Sequence, residues 1–326
     1  MFATTTCLRT LAVGLVGAFA VAAPVSHAQQ YPARTIRVVV PISPGGATDT
    51  MGRLMAQRLS EQLGVNVVVD NRPGAGTVIG TEMVARSAPD GYTLMTVTVE
   101  FVINPSLRKL PYDPIRDFTC VTQIASGQYF LSTHPTVPVT TTKQFIALAK
   151  SRPDQVTFAS SGNGSANHLA GVLFQHMTNT KLVHVPYKGA APAGVALVSG
   201  ETDFMFSNIA SVISYVKQGK VRAIASSGPQ RSPVAPEVPT ISESGVPGFI
   251  VTGFGVMLAP AATPADVIAR LNAASARSLE SAAMKERLTA LGLEPVGSSS
   301  AECGKFIAAE IRRWAPVVKA AGMQTD

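Results

Sequence analysis

Short runs of β-branched residues alternate with longer amphipathic stretches along this chain, and no other feature restricts the fold as strongly. "IRVVV" (36–40) reads as a buried strand, "TDTMGRLMAQRLSEQLG" (48–64) as an amphipathic helix ended by Gly64, and "VNVVVD" (65–70) as the next strand. A Gly-rich loop, a helix from about Val78 to Ser87 and the run "YTLMTVTV" (92–99) continue the same β-α-β order. Later come "QVTFASSG" (155–162), a helix from about Ser165 to Asn179, and short strands at "LVHVPY" (182–187), "DFMFS" (203–207) and "VRAIASS" (221–227). From Pro264 to Ala320 the pattern is almost all helical. Repeated strand-helix alternation predicts an α/β protein built on parallel sheets with covering helices.

Two loops stand at strand-to-helix junctions, where unpaired amides and the positive end of the helix favour an anion. In "PISPGGATD" (41–49), Gly45 and Gly46 permit close backbone approach, but the Lys-Ser/Thr of a nucleotide-phosphate loop is replaced by Ala47 and Thr48. In "SSGNGSANH" (160–168), Gly162 and Gly164 play the same part, and the hydroxyls of Ser161 and Ser165 serve as donors or caps. Two such helix starts, one in each half of the chain, suit the two sides of a carboxylate clamp. His168 lies in the first turn of the second helix, within reach of such an anion. Asp49 would repel a carboxylate if it pointed inward, and its position instead suits the positive end of its own helix. "NRPGAGTVIG" (71–80) has its glycines spaced G-x-G-x-x-x-G, which does not fit a dinucleotide fingerprint and reads as a structural loop beside the cleft.

About 298 residues remain if residues 1–28 are removed, which is long for one core and comfortable for two. The Pro-rich stretch "SPVAPEVPTISESGVPG" (232–248) precedes a return to apolar strand near Val251. The expected organisation is one α/β domain (29–128 and 247–326) interrupted by a second (129–246), with crossings near 128 and 246 and a cleft between.

The first 28 residues carry Arg9, a 13-residue apolar run from Leu11 to Ala23, Pro24 and a small-x-small end at Ser26-His27-Ala28. That is the pattern of a cleaved secretory signal peptide, and the run is well short of the roughly 20 residues a membrane span needs. Loss of Arg9 leaves 26 Lys and Arg against 20 Asp and Glu, a net charge of +6. The basic residues are scattered with no aromatic interleaving, which argues against nucleic acid as a partner. Cys120 and Cys303 are compatible with one disulfide or with two unpaired core residues, and no histidine pair has zinc-motif spacing, so neither a metal nor a cofactor is expected. An exported hydrolase using Ser161 or Ser165 is the less favoured alternative, since no G-x-S-x-G elbow occurs and no base and acid partners stand out.

The ordered motifs "YPARTIRVVVPISPGGATD", "APDGYTL", "YDPIRDF", "SSGNGSANHLAG", "HVPYKGAAPA", "GKVRAIASS" and "APAATPADVIARLN" resemble the Bug family, the periplasmic substrate-binding proteins of tripartite tricarboxylate transporters. The resemblance implies a two-domain Venus-flytrap fold of the type II periplasmic-binding-protein class. A small carboxylate would close its lobes: a di- or tricarboxylate, an aromatic acid or an acidic amino acid. It implies large and small membrane subunits as partners and a monomeric receptor in the periplasm; a sensory receptor presenting its ligand to a membrane kinase would use the same lobes. Carried over by position, the first anion loop comprises Ser43, Gly45, Gly46, Ala47 and Thr48, and the second Ser161, Asn163, Gly164 and Ser165. The distal end is expected between Asp203 and Asn208 and near Phe254. The family's usual aromatic is replaced by Ile42, and an acidic residue after "APA" by Ala196.

Overall fold

The structure, a computed structural model, describes residues 31–45 and 47–320. From Pro32 on these residues form one compact unit. The signal-peptide segment and Gly46 lie outside the described residues, as does the side chain of Ala47.

The chain runs β1 (Ile36–Val40), α1 (Ala47–Leu63), β2 (Val67–Asn71), α2 (Val78–Ala85), β3 (Thr93–Val97), α3 (Val99–Leu107) and β4 (Phe118–Thr133). It continues through α4 (Thr142–Ser151), β5 (Thr157–Ser160), α5 (Ala166–Thr178), β6 (Val183–Pro186), α6 (Ala190–Ser199), β7 (Phe204–Asn208), α7 (Ile209–Lys217) and β8 (Arg222–Ser226). The remainder is β9 (Thr252–Pro260), α8 (Ala265–Glu280), α9 (Ala282–Ala290), the short β10 (Glu294–Pro295) and α10 (Ser300–Ala320).

The strands run in the order β2-β1-β3-β9-β4-β7-β5-β6, with β8 and β10 also paired to β4. The sixteen-residue β4 joins two sheets: up to Gln128 it pairs with β9, and from Tyr129 with β7. The alternation predicts parallel sheets, but only part of each sheet is parallel. β1 pairs in parallel with β2 and β3, and β5 with β6 and β7, whereas β4 is antiparallel to β7, β8, β9 and β10, and β3 to β9. The departure has a topological cause: β4 and β9 run side by side in opposite directions where the chain passes from one sheet to the other. Val251 donates to Ser227 O at 2.8 Å and Ser227 donates to Tyr129 O at 2.7 Å, which ties this passage together.

The second sheet is held by aromatic packing. Phe145, Phe158, Phe174, Phe204, Phe206 and Phe249 are fully buried and meet in edge, tilted and stacked pairs 4.7 to 6.0 Å apart. Each such side chain stabilises the fold by about 1.5–3 kcal/mol through burial alone. On the first sheet, Cys120 of β4 and Cys303 of α10 form a disulfide, with Cα atoms 5.8 Å apart. This decides between the two readings of the cysteines and fastens α10 onto β4, from which α10 reaches α3. Among the described residues no helix is long and apolar enough to cross a membrane.

Candidate functional site

Parallel neighbours end at the same sheet edge. The segments after β1 and β3 therefore emerge together, as do those after β5 and β7, and the open edge of such strands is where α/β folds bind ligands. Both Gly-rich loops stand at these edges.

Asn167, buried in the first turn of α5, organises the second loop. Its Oδ1 accepts from Ser161 N (3.3 Å), Ser161 Oγ (3.0 Å), Ser165 Oγ (2.6 Å) and His168 N (3.1 Å). Ser165 Oγ also lies in donating position 2.6 Å from Gly162 O, so its one proton is shared between that carbonyl and Asn167 Oδ1. His168 accepts the Gly164 amide on Nδ1 at 3.1 Å, which leaves the ring proton on Nε2. Gly162 and Gly164 adopt φ of 127° and 77°, which non-glycine residues rarely tolerate. The sequence-predicted Ser161, Gly164, Ser165 and His168 thus come together, but as the inner frame of the loop. Left without a hydrogen-bond partner among the described residues are the amides of Asn163, Ala166 and Asn167; Asn163 is exposed, whereas Ala166 and Asn167 are buried. Such amides are the orphan donors of a helix start.

His168 stacks on His184 with ring centroids 3.9 Å apart, and His184 stacks in turn on Phe158 at 4.9 Å. Burial pushes the His168 imidazole down to about 4, helped by His184 beside it, and burial lowers His184 as well. Both rings are neutral at neutral pH. Ser160 Oγ lies 2.6 Å from His184 Nε2, but Ser160 is fully buried, and the more accessible Ser161 and Ser165 hydroxyls donate to Asn167 instead of to a histidine.

The first loop is organised by Asp49. Its Oδ2 accepts from Gly45 N (2.9 Å) and Arg53 Nε (3.0 Å), and its Oδ1 from Asn71 Nδ2 (2.8 Å). Asn71 also donates to Ile42 O at 3.1 Å and accepts from Arg53 at 3.0 Å. Burial acts to raise the Asp49 carboxyl, but the bonds from Arg53, Gly45 and Asn71 outweigh it and hold the group below the usual carboxylate range. Asp49 is therefore an anionic brace turned onto its own loop. Ser43 is exposed at the tip, and Thr48 is buried with its Oγ1 3.3 Å from Thr98 Oγ1 at the start of α3.

The distal expectations divide. Asp203 stands level with Thr157, four residues or ~13 Å along the strand from the level of Ser161. Its Oδ2 accepts from Thr157 N (2.7 Å) and Thr157 Oγ1 (2.9 Å), so it locks the opposite end of the sheet and lies away from the loops. Phe254 is 2% exposed and packs edge-on against Phe306 at 4.9 Å, which makes it core instead of lining. Asn208 does sit at the junction, paired with Tyr129 across β7 and β4, and its side chain fills the space that a Cβ at Gly292 would need. Asn167, Asn71 and Arg53 were not anticipated; Asn167 and Asn71 were visible only as polar residues flanking the two loops. Gly80, in the dinucleotide-like stretch, meets Arg72 O and Pro41 instead of an open phosphate site: a Cβ there would lie 2.6 Å from Arg72 O. Among the described residues no group of His, Cys, Asp and Glu is arranged to hold a metal ion.

Residues 51–323 match the family described as the tripartite tricarboxylate transporter family receptor, TctC. The chain belongs to that family. The receptor is 39% identical over 305 residues to the protein BugT of Bordetella pertussis, covering 93% of each chain. It is also similar in structure to Rpa4515 of R. palustris, solved with adipate: 36% identity, 90% of this chain, 98% of that one and a TM-score of 0.77. MatC of Rhodopseudomonas palustris, solved with bound malate, shares 33% identity over 88% of this chain and 100% of its own, with a TM-score of 0.75. The chain has the two-lobe α/β fold of a periplasmic binding protein, and solute-binding receptors of this family act in the periplasm.

Proposed function

We propose that this receptor is exported, captures one small carboxylate between its two Gly-rich loops and presents the closed form to the membrane subunits of a transporter, without chemical turnover. The observation that carries this reading is the second loop. Asn167 and His168 hold it rigidly while the Asn163, Ala166 and Asn167 amides remain at the positive end of α5. The opposite wall is near: a Cβ at Gly164 would lie 3.9 Å from Ile103 Cδ1 on α3. The lobes are assigned as 29–128 with 247–326, and 129–246, and they close by a hinge at the β4 and β9 crossing. Adipate and malate, bound by the two similar proteins, set the size class of the ligand. The large and small membrane subunits would read a monomer whose first 28 residues have been removed. The commitment of the Ser161 and Ser165 hydroxyls to Asn167 supports binding over hydrolysis.

Native mass spectrometry of freshly purified protein, followed by thermal-shift screening against di- and tricarboxylates, aromatic acids and acidic amino acids, tests the reading. A carboxylate retained stoichiometrically, or a dose-dependent rise in melting temperature with at least one acid, is expected. No response to any acid, or release of a converted product, would overturn it.

A further inference from the structure

The cleft has a negatively charged side as well as an anion-binding one. α3 starts at the end of β3, beside β1, so its first turn opens next to the first loop. There Thr98 Oγ1, 3.3 Å from Thr48 Oγ1, donates to the carboxylate of Glu100. Residues three apart share a helix face, and Ile103, three positions after Glu100, is the side chain nearest to Gly164 of the second loop. Glu100 is thereby turned toward the loop from the other lobe. Tyr129 lies at the neighbouring passage between the sheets. It stands where β4 changes sheets, opposite Asn208, and its phenol is pushed up by burial and then by the charge of Glu100. A Cβ at Gly253 would be 2.8 Å from the Tyr129 hydroxyl, so only glycine leaves room for the phenol there.

Among the described residues no Lys or Arg forms an ion pair with Glu100, whose one hydrogen bond is to Thr98. The positive end of α3 favours an acid in its first turn, which explains why the charge is tolerated there but does not supply it with a cationic partner. A bare hydrocarbon diacid gains nothing from such a group, and a second carboxylate beside it is repelled. A substituent with an N–H or O–H proton is stabilised by a charge-assisted hydrogen bond.

Resting on the carboxylate reading above, we infer that Glu100, held by Thr98 beside the first loop, is a specificity-determining residue that selects carboxylic acids bearing a proton-donating substituent, an ammonium or a hydroxyl group. The anion end holds the carboxylate common to all ligands, and Glu100 ranks them by what else they carry.

The test is calorimetric titration with two matched series, succinate, malate and aspartate, then glutarate, 2-hydroxyglutarate and glutamate. The proteins are the wild type, Glu100→Leu and Glu100→Gln, with melting temperature of the unliganded variants as the folding control. In the wild type, the hydroxy or amino acid of at least one series is expected to bind tenfold or more tightly than its unsubstituted parent. Glu100→Leu should erase that ratio, by weakening the substituted acids and by relieving the repulsion of the parent diacid's second carboxylate. Glu100→Gln distinguishes the two donors, because an amide oxygen still accepts from a hydroxyl but loses the charge that favours an ammonium. Parent acids binding as tightly as substituted ones, or a ratio unchanged in Glu100→Leu, would overturn this inference alone. Failure of all six acids to bind the wild type would count against the carboxylate reading and this inference together.

Discussion

Asn167→Asp separates the role of the second loop as scaffold from its role as an anion holder. The Asn167 Oδ1 accepts four donors within the loop and first turn. An aspartate offers the same oxygen to the same donors, and at a helix start its charge is favourable by about 0.3–1 kcal/mol. Stability should therefore stay within about 1 kcal/mol of wild type. Asn167→Ala removes the acceptor and leaves Ser161 N and Ser161 Oγ without it, at a cost of about 1–3 kcal/mol per group left unsatisfied. A loss of about 2–3 kcal/mol, read as a fall in Tm of about 4–10 °C, is expected for the alanine variant. Binding should rank the other way. A new negative charge about 6 Å from a bound carboxylate, at an effective dielectric constant of ~20, opposes it by ~3 kcal/mol, which is a ~100-fold weaker Kd. Urea unfolding and calorimetry on the two variants measure both quantities. An aspartate variant that binds the wild-type ligand with unchanged affinity would refute placement of the anion at this loop.

Three further perturbations test the frame. The Cys120–Cys303 bridge closes a sequence separation of 183 residues, for which chain entropy gives ~5 kcal/mol; Cys303→Ser should lower the unfolding free energy by about 3–5 kcal/mol, and identical urea midpoints with and without reductant would contradict this. The lowered His168 imidazole makes stability full above its unfolded value of 6.5 and progressively lost as pH falls toward about 4, by roughly 3 kcal/mol, with His184 acting in the same direction. Urea midpoints between pH 7 and 4 should fall accordingly and fall less in His168→Gln; an equal slope in both proteins would contradict the assignment. Gly80→Ala drives a Cβ against Arg72 O and should cost about 1–3 kcal/mol, whereas Gly194→Ala, inside α6 with nothing within 4 Å, should stabilise by up to about 1 kcal/mol. Denaturation midpoints that move together in the two variants would show that the close approach at Gly80 is not what that glycine serves.

Local pattern carries far in this chain. "IRVVV" is β1 from end to end, and the helix expected at 48–64 is observed at Ala47–Leu63, because β-branched alternation and an amphipathic run ended by Gly64 are local signals. What the pattern could not carry is pairing. Nothing in "FTCVTQIASGQYFLST" states that one strand serves two sheets, nor that β9 lies antiparallel to it, since register is fixed by contacts from distant residues. The helix α3 escaped notice because Pro105 and β-branched residues obscure its period. At the site, the two loops were legible from glycines placed at strand ends. The roles within them were not: Gly164 N is spent on His168, the serine hydroxyls on Asn167, and Asp49 on its own loop. Asp203 illustrates the same limit, since one residue's displacement along a strand from the cleft to the far sheet end is invisible without the register that pairs it with Thr157.

A crystal structure of the protein with its tightest-binding small acid tests the central claim most directly. The account predicts one acid per chain between the lobes, with a carboxylate within about 3 Å of amides among Asn163, Ala166 and Asn167 and its remaining substituent directed toward Glu100. A carboxylate bound elsewhere, with those amides facing solvent in the closed complex, would contradict it.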